Sequence, residues 1–187
     1  QEITLFNSKQ KRGLHFSWVF GIVYLLIGFI ETAADIYQFT GDDSLLNTSV
    51  YTLVKLISAV AFMFFFHGFY TIGSVFKNTL LKTIPLFLIG LLVISNFIDV
   101  IGLHWLDETI AIVLIVECLV FGALQLVFGI ALLQLKDKLG GLAQVNGILE
   151  IVVGASLVSV LFASFGLFLM VPTVIIEIIL IYRLSRD

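Results

Sequence analysis

The sequence predicts an all-α, polytopic integral membrane protein with six transmembrane helices, arranged as three consecutive helical hairpins. The chain of 187 residues is 60% hydrophobic and 12% charged, with a mean hydropathy of +1.13. Soluble domains are roughly half apolar and about a quarter charged. The apolar residues form uninterrupted runs without polar–apolar alternation, a pattern that argues against a β-barrel. Composition and patterning together therefore predict helices that cross a lipid bilayer.

Six apolar runs are long enough to span the bilayer. About 20 apolar residues, at a rise of about 1.5 Å each, cross a hydrocarbon core of about 30 Å. The first run is too long for a signal peptide and lacks a convincing cleavage site, so we predict a retained helix. Residues 1–13 are predicted to be a cytoplasmic segment, and residues 14–187 a single transmembrane domain. The predicted spans are 14–38, 50–76, 83–105, 109–135, 142–163 and 165–183.

The basic residues predict the orientation of the chain. Nine of the ten Lys and Arg residues lie at every second gap between spans, and Lys55 is the exception. Short cytoplasmic segments retain Lys and Arg, so we predict that both termini are cytoplasmic and that the protein lies in the plasma membrane. This charge polarity is a topology signal, and it argues against nucleic acid as a partner. The clusters are Lys9, Lys11 and Arg12; Lys77 and Lys82; Lys136 and Lys138; and Arg183 and Arg186.

The connections between spans are short. The outer ones contain Gly41–Ser44, His104–Glu108 and the turn Ala163–Gly166, whereas the inner ones contain lysines. Short loops force sequential helices to pack as antiparallel neighbours. No linker or low-complexity segment divides the chain, so we predict one compact membrane domain.

The first and fifth spans share a weak internal repeat. Gly21–Gly28 has the sequence GIVYLLIG and Gly147–Gly154 has the sequence GILEIVVG, each with glycines seven residues apart. Small residues at this spacing let helix backbones approach each other. The repeat predicts a helical hairpin used three times. The alternative is a chance match, because glycine and branched aliphatic residues dominate any membrane helix.

These runs carry a resemblance to a known family. Gly147–Val153 in the fifth span and Tyr24–Phe29 in the first resemble segments of the HdeD-like acid-resistance membrane proteins. That family is built from three two-helix repeats in a similar total length, so the resemblance implies the same architecture. The family has no catalytic motif, and the resemblance therefore implies no functional residue.

Ionisable and polar side chains inside the spans are the candidate site residues. An ionised side chain near the bilayer centre costs about 2.5–3.5 kcal/mol on insertion scales. Such groups are therefore expected to face the bundle interior, reach the interface, carry a proton or hold a cation. The candidates for an ion or proton pathway are Glu31, Asp35, Asn96, Asp99, Glu117, Glu150, Glu177 and His67.

An outer layer of these candidates is predicted to form an acidic vestibule. Glu31 and Asp35 are four residues apart and share one helix face, as do Asn96 and Asp99. Carboxylates near an imidazole can bind a divalent cation, or they can act as proton acceptors. The alternative is a solvated rim. The layer contains Glu31, Asp35, Asp99 and Glu117, with Asp42, Asp43 and His104 nearby.

An inner layer is predicted around Glu150 and Glu177. Asn146 shares a helix face with Glu150, and Thr173 shares one with Glu177. Because a tight turn joins these two spans, the two faces can meet. A proton or cation relay from this layer to the outer one is the functional hypothesis. The alternative is a set of neutral acids hydrogen-bonded to Asn, Thr or helix carbonyls, with Arg183 reaching Glu177.

Other kinds of chemistry have little support in the sequence. His67 lies near mid-bilayer without a second histidine at matched depth, which argues against haem. Cys118 in an apolar setting is expected to be a packing residue. The sequence contains no phosphate-binding loop and no His-rich or Cys-x-x-Cys metal motif. We therefore expect no cofactor and no enzyme activity, and the sequence does not identify a metal.

Three classes of function are consistent with these observations. The first is a proton or cation channel or transporter that uses the intramembrane carboxylates. The second is a non-catalytic accessory or stress-response subunit that acts as a homo-oligomer or within a larger membrane complex. The third is a membrane-embedded enzyme on a lipidic substrate, which ranks last because no catalytic constellation is present.

Overall fold

Helices make up the fold, and six of them are long. The computed structural model describes residues 6–39, 48–102 and 107–186, and these ranges contain helices and no strand. Six helices are long and apolar enough to cross a bilayer, which confirms the predicted all-α, six-span fold class. The helices are α1 Ser8–Phe39, α2 Thr48–Val75, α3 Thr79–Gly102, α4 Asp107–Leu133, α5 Lys136–Leu139, α6 Gly141–Val158 and α7 Ala163–Arg186.

The outer surface of the bundle is apolar. Side chains from several helices, including Leu26, Phe87, Phe97, Ile112 and Phe168, are more than half exposed. Soluble proteins rarely expose large contiguous apolar surfaces, whereas lipid tails solvate such a surface well. Six apolar spans and this surface together identify a multi-pass membrane protein.

The six long helices form a closed ring. Each packs against the long helices before and after it in the chain, and α7 returns to pack against α1. The contact between α4 and α6 is the most extensive, and that between α3 and α4 is the least extensive of these neighbours. We call the end that carries both termini and the connections 76–78 and 134–140 the basic end of the bundle.

α1 begins six residues before the predicted first span. The backbone N–H of Gln10 donates to Asn7 Oδ1 (2.8 Å), and the N–H of Asn7 donates to Gln10 Oε1 (2.9 Å). This reciprocal capping box satisfies two donors that a helix start would otherwise leave unpaired. Phe6, just before the cap, is buried against Phe76, with ring centroids 6.1 Å apart. The basic residues that precede the first apolar run are therefore helical.

The last connection lies at residues 159–162, so the predicted turn at Ala163–Gly166 is wrong. α6 ends at Val158, and the backbone N–H of Phe162 donates to Ser159 Oγ (3.2 Å). Val160 has a φ of 58°, in the left-handed region. The turn residues after Ser159 are apolar. The fifth span predicted from hydropathy therefore includes them and is too long.

Two glycine pairs bring α4 and α6 together. Gly122 faces Gly154, and Gly129 faces Gly147. A Cβ atom added to Gly129 would lie 2.6 Å from the carbonyl oxygen of Gly147, and one added to Gly154 would lie 2.6 Å from that of Gly122. Only glycine allows these backbones to approach so closely.

Phenylalanine side chains fill the interior of the helix bundle towards the basic end. Phe65, Phe69 and Phe128 are fully buried, and the rings of Phe69 and Phe128 meet edge to face at 5.0 Å. Phe62 and Phe66 stack at 4.2 Å. Beyond these rings, towards the opposite end, the helices surround a partly open cavity.

Candidate functional site

Lys55 of α2 lies at the centre of a cluster of three carboxylates. Its Nζ is 3.0 Å from Glu31 Oε1, 3.0 Å from Asp35 Oδ1 and 2.8 Å from Asp99 Oδ2. The Lys55 side chain is only 5% exposed. These four residues, the Lys55 cluster, join α1, α2 and α3 near the end opposite to the basic one.

Neutral polar groups complete the hydrogen bonding of this cluster. Tyr51 Oη donates to Asp35 Oδ1 (2.9 Å), and Ser58 Oγ donates to Glu31 Oε2. Asn96 Nδ2 donates to the backbone carbonyl of Lys55 (3.0 Å). Asn96 therefore links α3 to the backbone of α2, whereas Asp99, on the same face of α3, forms an ion pair with Lys55.

The structure changes the interpretation of the outer layer. Glu31, Asp35 and Asp99 do converge, but the cation among them is the ammonium group of Lys55. The sequence predicts a divalent metal ion as one possible occupant of the space between these carboxylates. In the structure, the ammonium group of Lys55 lies there instead. Asp42, Asp43 and His104 lie outside the described residues.

Glu117 of α4 stands beside the Lys55 cluster without an ion pair among the described residues. Ser95 Oγ of α3 donates to Glu117 Oε1 (2.6 Å). The carboxyl group is within electrostatic range of Asp99 and Lys55. Glu117 also lines the internal cavity, so it connects the outer cluster with the bundle interior.

The cavity has a volume of about 270 Å³, and all six long helices contribute to its wall. Most of the wall is apolar and aromatic. Along α4 the lining extends from Leu114 to Phe128, about 21 Å of helix axis. The polar or ionisable residues of the wall are Tyr24, Glu117, Cys118, Gln125, Glu150, Thr173 and Glu177.

Glu150 of α6 and Glu177 of α7 meet in the wall of this cavity. They are 4% and 1% exposed, and their carboxyl groups are close enough to influence each other's charge. Glu150 lies at the middle of α6, so this Glu150–Glu177 pair lies about midway along the bundle. Asn146, one helical turn nearer the basic end, adjoins Glu177.

Several buried polar atoms around the pair have no hydrogen-bond partner within the described ranges. Leaving a buried polar atom unpaired costs about 1–3 kcal/mol, and most such atoms in proteins are satisfied. The unpaired atoms here can be satisfied by ordered water or by a polar ligand. They are Gln125 Oε1, Asn146 Oδ1, Asn146 Nδ2, Glu150 Oε2 and Glu177 Oε1.

Two predicted contacts of the inner layer are absent from the described part of the chain. Thr173 Oγ1 donates to the carbonyl of Leu169 in its own helix (2.7 Å) and does not bond to Glu177. Arg183 is exposed and forms no ion pair with Glu177. The Thr173 and Arg183 contacts of this alternative are therefore not formed, whereas Asn146 does lie beside Glu177.

His67 is not part of either carboxyl group cluster. Its side chain is exposed on the outer surface of the bundle, where its ring stacks with that of Tyr70 at 5.8 Å. The neighbours Phe65 and Phe66 occupy the inner face of α2 instead. Among the described residues, no three of His, Cys, Asp and Glu form a group that could hold a metal ion.

Comparison with known proteins gives no relative. No protein-family model, no curated protein and no solved structure matches this chain.

Proposed function

We propose that this protein is a small membrane transporter that moves protons through its intramembrane carboxyl groups. The observation that supports this most strongly is the presence of two buried carboxyl groups, those of Glu150 and Glu177, in the wall of one cavity about midway along the bundle. Ionisable residues at such depth are rare, and they commonly mark proton relays or ion paths.

The chemistry of the pair supports proton transfer. Two adjacent carboxylates in an apolar environment repel each other, so a proton shared between them is favoured. Such a pair accepts and releases a proton without a large change in structure. The unpartnered oxygens Glu150 Oε2 and Glu177 Oε1 remain free to receive it from the cavity.

A route of polar groups leads to the pair from the far end of the bundle. The Lys55 cluster contains three carboxylates and one ammonium group, so it attracts protons. Glu117 follows, and the cavity then extends past Gln125 to the pair. Asn146 continues the route, and only five residues, or about 8 Å, separate it from the start of α6.

The proposed orientation follows from charge. The basic end carries nine of the ten Lys and Arg residues. Following the positive-inside rule, we propose that this end is cytoplasmic and that the protein lies in the plasma membrane. The Lys55 cluster then faces the outside and collects protons there.

The test is proton flux into liposomes that contain the purified protein. We expect wild-type protein to dissipate a pH gradient, and Glu150→Gln and Glu177→Gln to lower the flux to that of protein-free liposomes. Glutamine retains the size of the side chain but cannot bind or release a proton.

The matched control is Asp137→Asn, which neutralises an exposed carboxylate of α5. We expect this variant to transport like the wild type. Flux that is unchanged in both Gln variants would refute the proposal, and wild-type flux no greater than that of protein-free liposomes would favour the accessory-subunit class.

A further inference from the structure

We infer that the cavity binds a protonated organic amine, with its ammonium group at the Glu150–Glu177 pair and its apolar part among the aromatic rings of the wall. This inference deepens the proposed function and rests on the same carboxyl pair. It identifies the class of substrate whose movement would be coupled to that of protons.

Charge is the first argument. When one of its two acids is ionised, the Glu150–Glu177 pair carries a single negative charge. One monovalent cation neutralises it, whereas a divalent ion would leave excess charge in an apolar interior, where an uncompensated charge is expensive. The site therefore matches a singly charged ligand.

Hydrogen bonding is the second argument. Of the unpaired atoms, the three that belong to cavity-lining residues, Glu150 Oε2, Glu177 Oε1 and Gln125 Oε1, are all acceptors. Each of these side chains is less than one-tenth exposed and lines the cavity. A primary ammonium group supplies three donors and no acceptor, so it satisfies this set better than an alcohol or an ether does.

The wall distinguishes an organic cation from an inorganic one. Tyr24, Phe62, Phe66, Phe121 and Phe128 all line the cavity. Aromatic faces attract organic ammonium ions, and an apolar wall cannot supply the six or more oxygen ligands of a hard metal ion. A mostly apolar wall with a few convergent polar groups is typical of small-molecule sites.

The volume limits the ligand to a small one. The cavity, at about 270 Å³, lies just below the range of about 300–1,000 Å³ for drug-sized ligands. An amine with a single ring or a short chain is the expected size.

Protons and amine compete for the pair. A second proton removes the negative charge that the ammonium group needs, so each occupant displaces the other. The other ionisable groups that share the cavity are Tyr24 of α1 and Glu117 and Cys118 of α4. α2 and α3 contribute only apolar side chains to the wall.

The experiment measures thermal unfolding of the detergent-solubilised protein with added ligand. The probes are phenethylamine, which is protonated at neutral pH, and 2-phenylethanol, which has the same ring without the charge. A ligand that binds the native state raises the midpoint of unfolding. We expect the amine to raise it and the alcohol to have no effect.

Variants locate the binding site. The rise in the unfolding midpoint with phenethylamine should be lost in Glu150→Gln and Glu177→Gln and retained in Asp137→Asn. Equal shifts with amine and alcohol would overturn the inference, because the carboxyl pair would then not recognise the ligand. An amine shift that persists in both Gln variants would overturn it as well.

Wild-type protein alone provides a second measurement, should the Gln variants fail to fold. In equilibrium dialysis, phenethylamine affinity should fall at least tenfold as acidification protonates the pair, although the amine stays charged throughout. Affinity independent of pH would refute the inference.

The two proposals fail separately. Loss of proton flux in the Gln variants, with no amine binding to the wild type, would refute only the amine site. Amine binding without proton flux would refute only the proposed function.

Discussion

Lys55 is the residue that the charge pattern left unexplained, and the structure accounts for it. A lysine inside an apolar span is costly unless it is paired. Three carboxylates from α1 and α3 surround it, and Tyr51 and Ser58 complete their hydrogen bonds. Lys55 is an exception to the basic clusters because its partners, and not the cytoplasm, stabilise its charge.

Replacing Lys55 tests this account at a single residue. Lys55→Met keeps most of the volume but leaves three carboxylates close together without a cation. We expect the free energy of unfolding to fall by about 3–5 kcal/mol, the usual cost of breaking a buried ion pair. Chemical unfolding in mixed micelles measures this change.

The control for this variant is Lys136→Met, which removes an exposed lysine of α5. Its unfolding free energy should change by less than about 0.5 kcal/mol. Adding Asp99→Asn to Lys55→Met should restore part of the loss. Equal stability of the Lys55 and Lys136 variants would contradict the structural role of Lys55.

The sequence identified most of the carboxyl groups of the site but not their partners. Spacing along one helix showed that Glu31 and Asp35 share a face, and the structure brings both to Lys55. Spacing cannot show which faces of different helices converge. Lys55 and Gln125 were missed for this reason, although a lone lysine inside an apolar span is itself a signal.

At the scale of helices, the α4–α6 contact depends on glycine. Gly147 and Gly154 were recognised from the repeat, but their partners Gly122 and Gly129 were not. The equivalent glycines of α1 behave differently. A Cβ on Gly21 would meet Phe65 and Ile178, whereas one on Gly28 would meet nothing within 4 Å.

The repeat itself remains a prediction. Tyr24 and Glu150 occupy equivalent positions in the two runs, and both line the same cavity. This shared environment is consistent with a repeated hairpin, and the resemblance to HdeD-like proteins likewise remains a prediction.

Gly129→Ala tests the close approach of α4 and α6. The added methyl group would lie 2.6 Å from the carbonyl oxygen of Gly147, so the helices must separate. We expect a loss of about 1–3 kcal/mol in unfolding free energy, as is usual for overpacking. Thermal or denaturant unfolding in micelles measures it.

Gly90→Ala is the matched control, because a Cβ at Gly90 meets nothing within 4 Å. This variant should be as stable as the wild type or slightly more stable, since alanine favours a helix. If both alanine variants unfolded alike, the glycine contact would not determine the packing of α4 on α6.

Hydropathy predicted the existence of every span but not every boundary. α1 begins early because Asn7 and Gln10 form a capping box, which lies within polar sequence. α6 ends early because the turn after Ser159 consists of apolar residues. Both differences have one reason. Local hydrogen bonds determine where a helix begins and ends, whereas hydropathy shows only which residues prefer lipid to water.

The whole molecule is a ring of six helices whose two ends differ in charge and whose interior holds acids at two depths. Closing the ring through α7 and α1 brings Tyr24, Glu150 and Glu177 around one cavity. The order of helices in the chain does not reveal this closure. The outer surface of the spans is mostly apolar, with His67 as a polar exception, so most of the polar chemistry is concentrated in the interior.

The account depends on a proton held between Glu150 and Glu177, and infrared spectroscopy of the reconstituted protein observes it directly. A neutral carboxylic acid has a C=O stretch distinct from the bands of a carboxylate. At neutral pH we predict such a band in the wild type and in Asp137→Asn, and a clear loss of its intensity when Glu150→Gln and Glu177→Gln are combined in one protein. An identical band region in all three proteins would contradict the shared proton and the transport proposed from it.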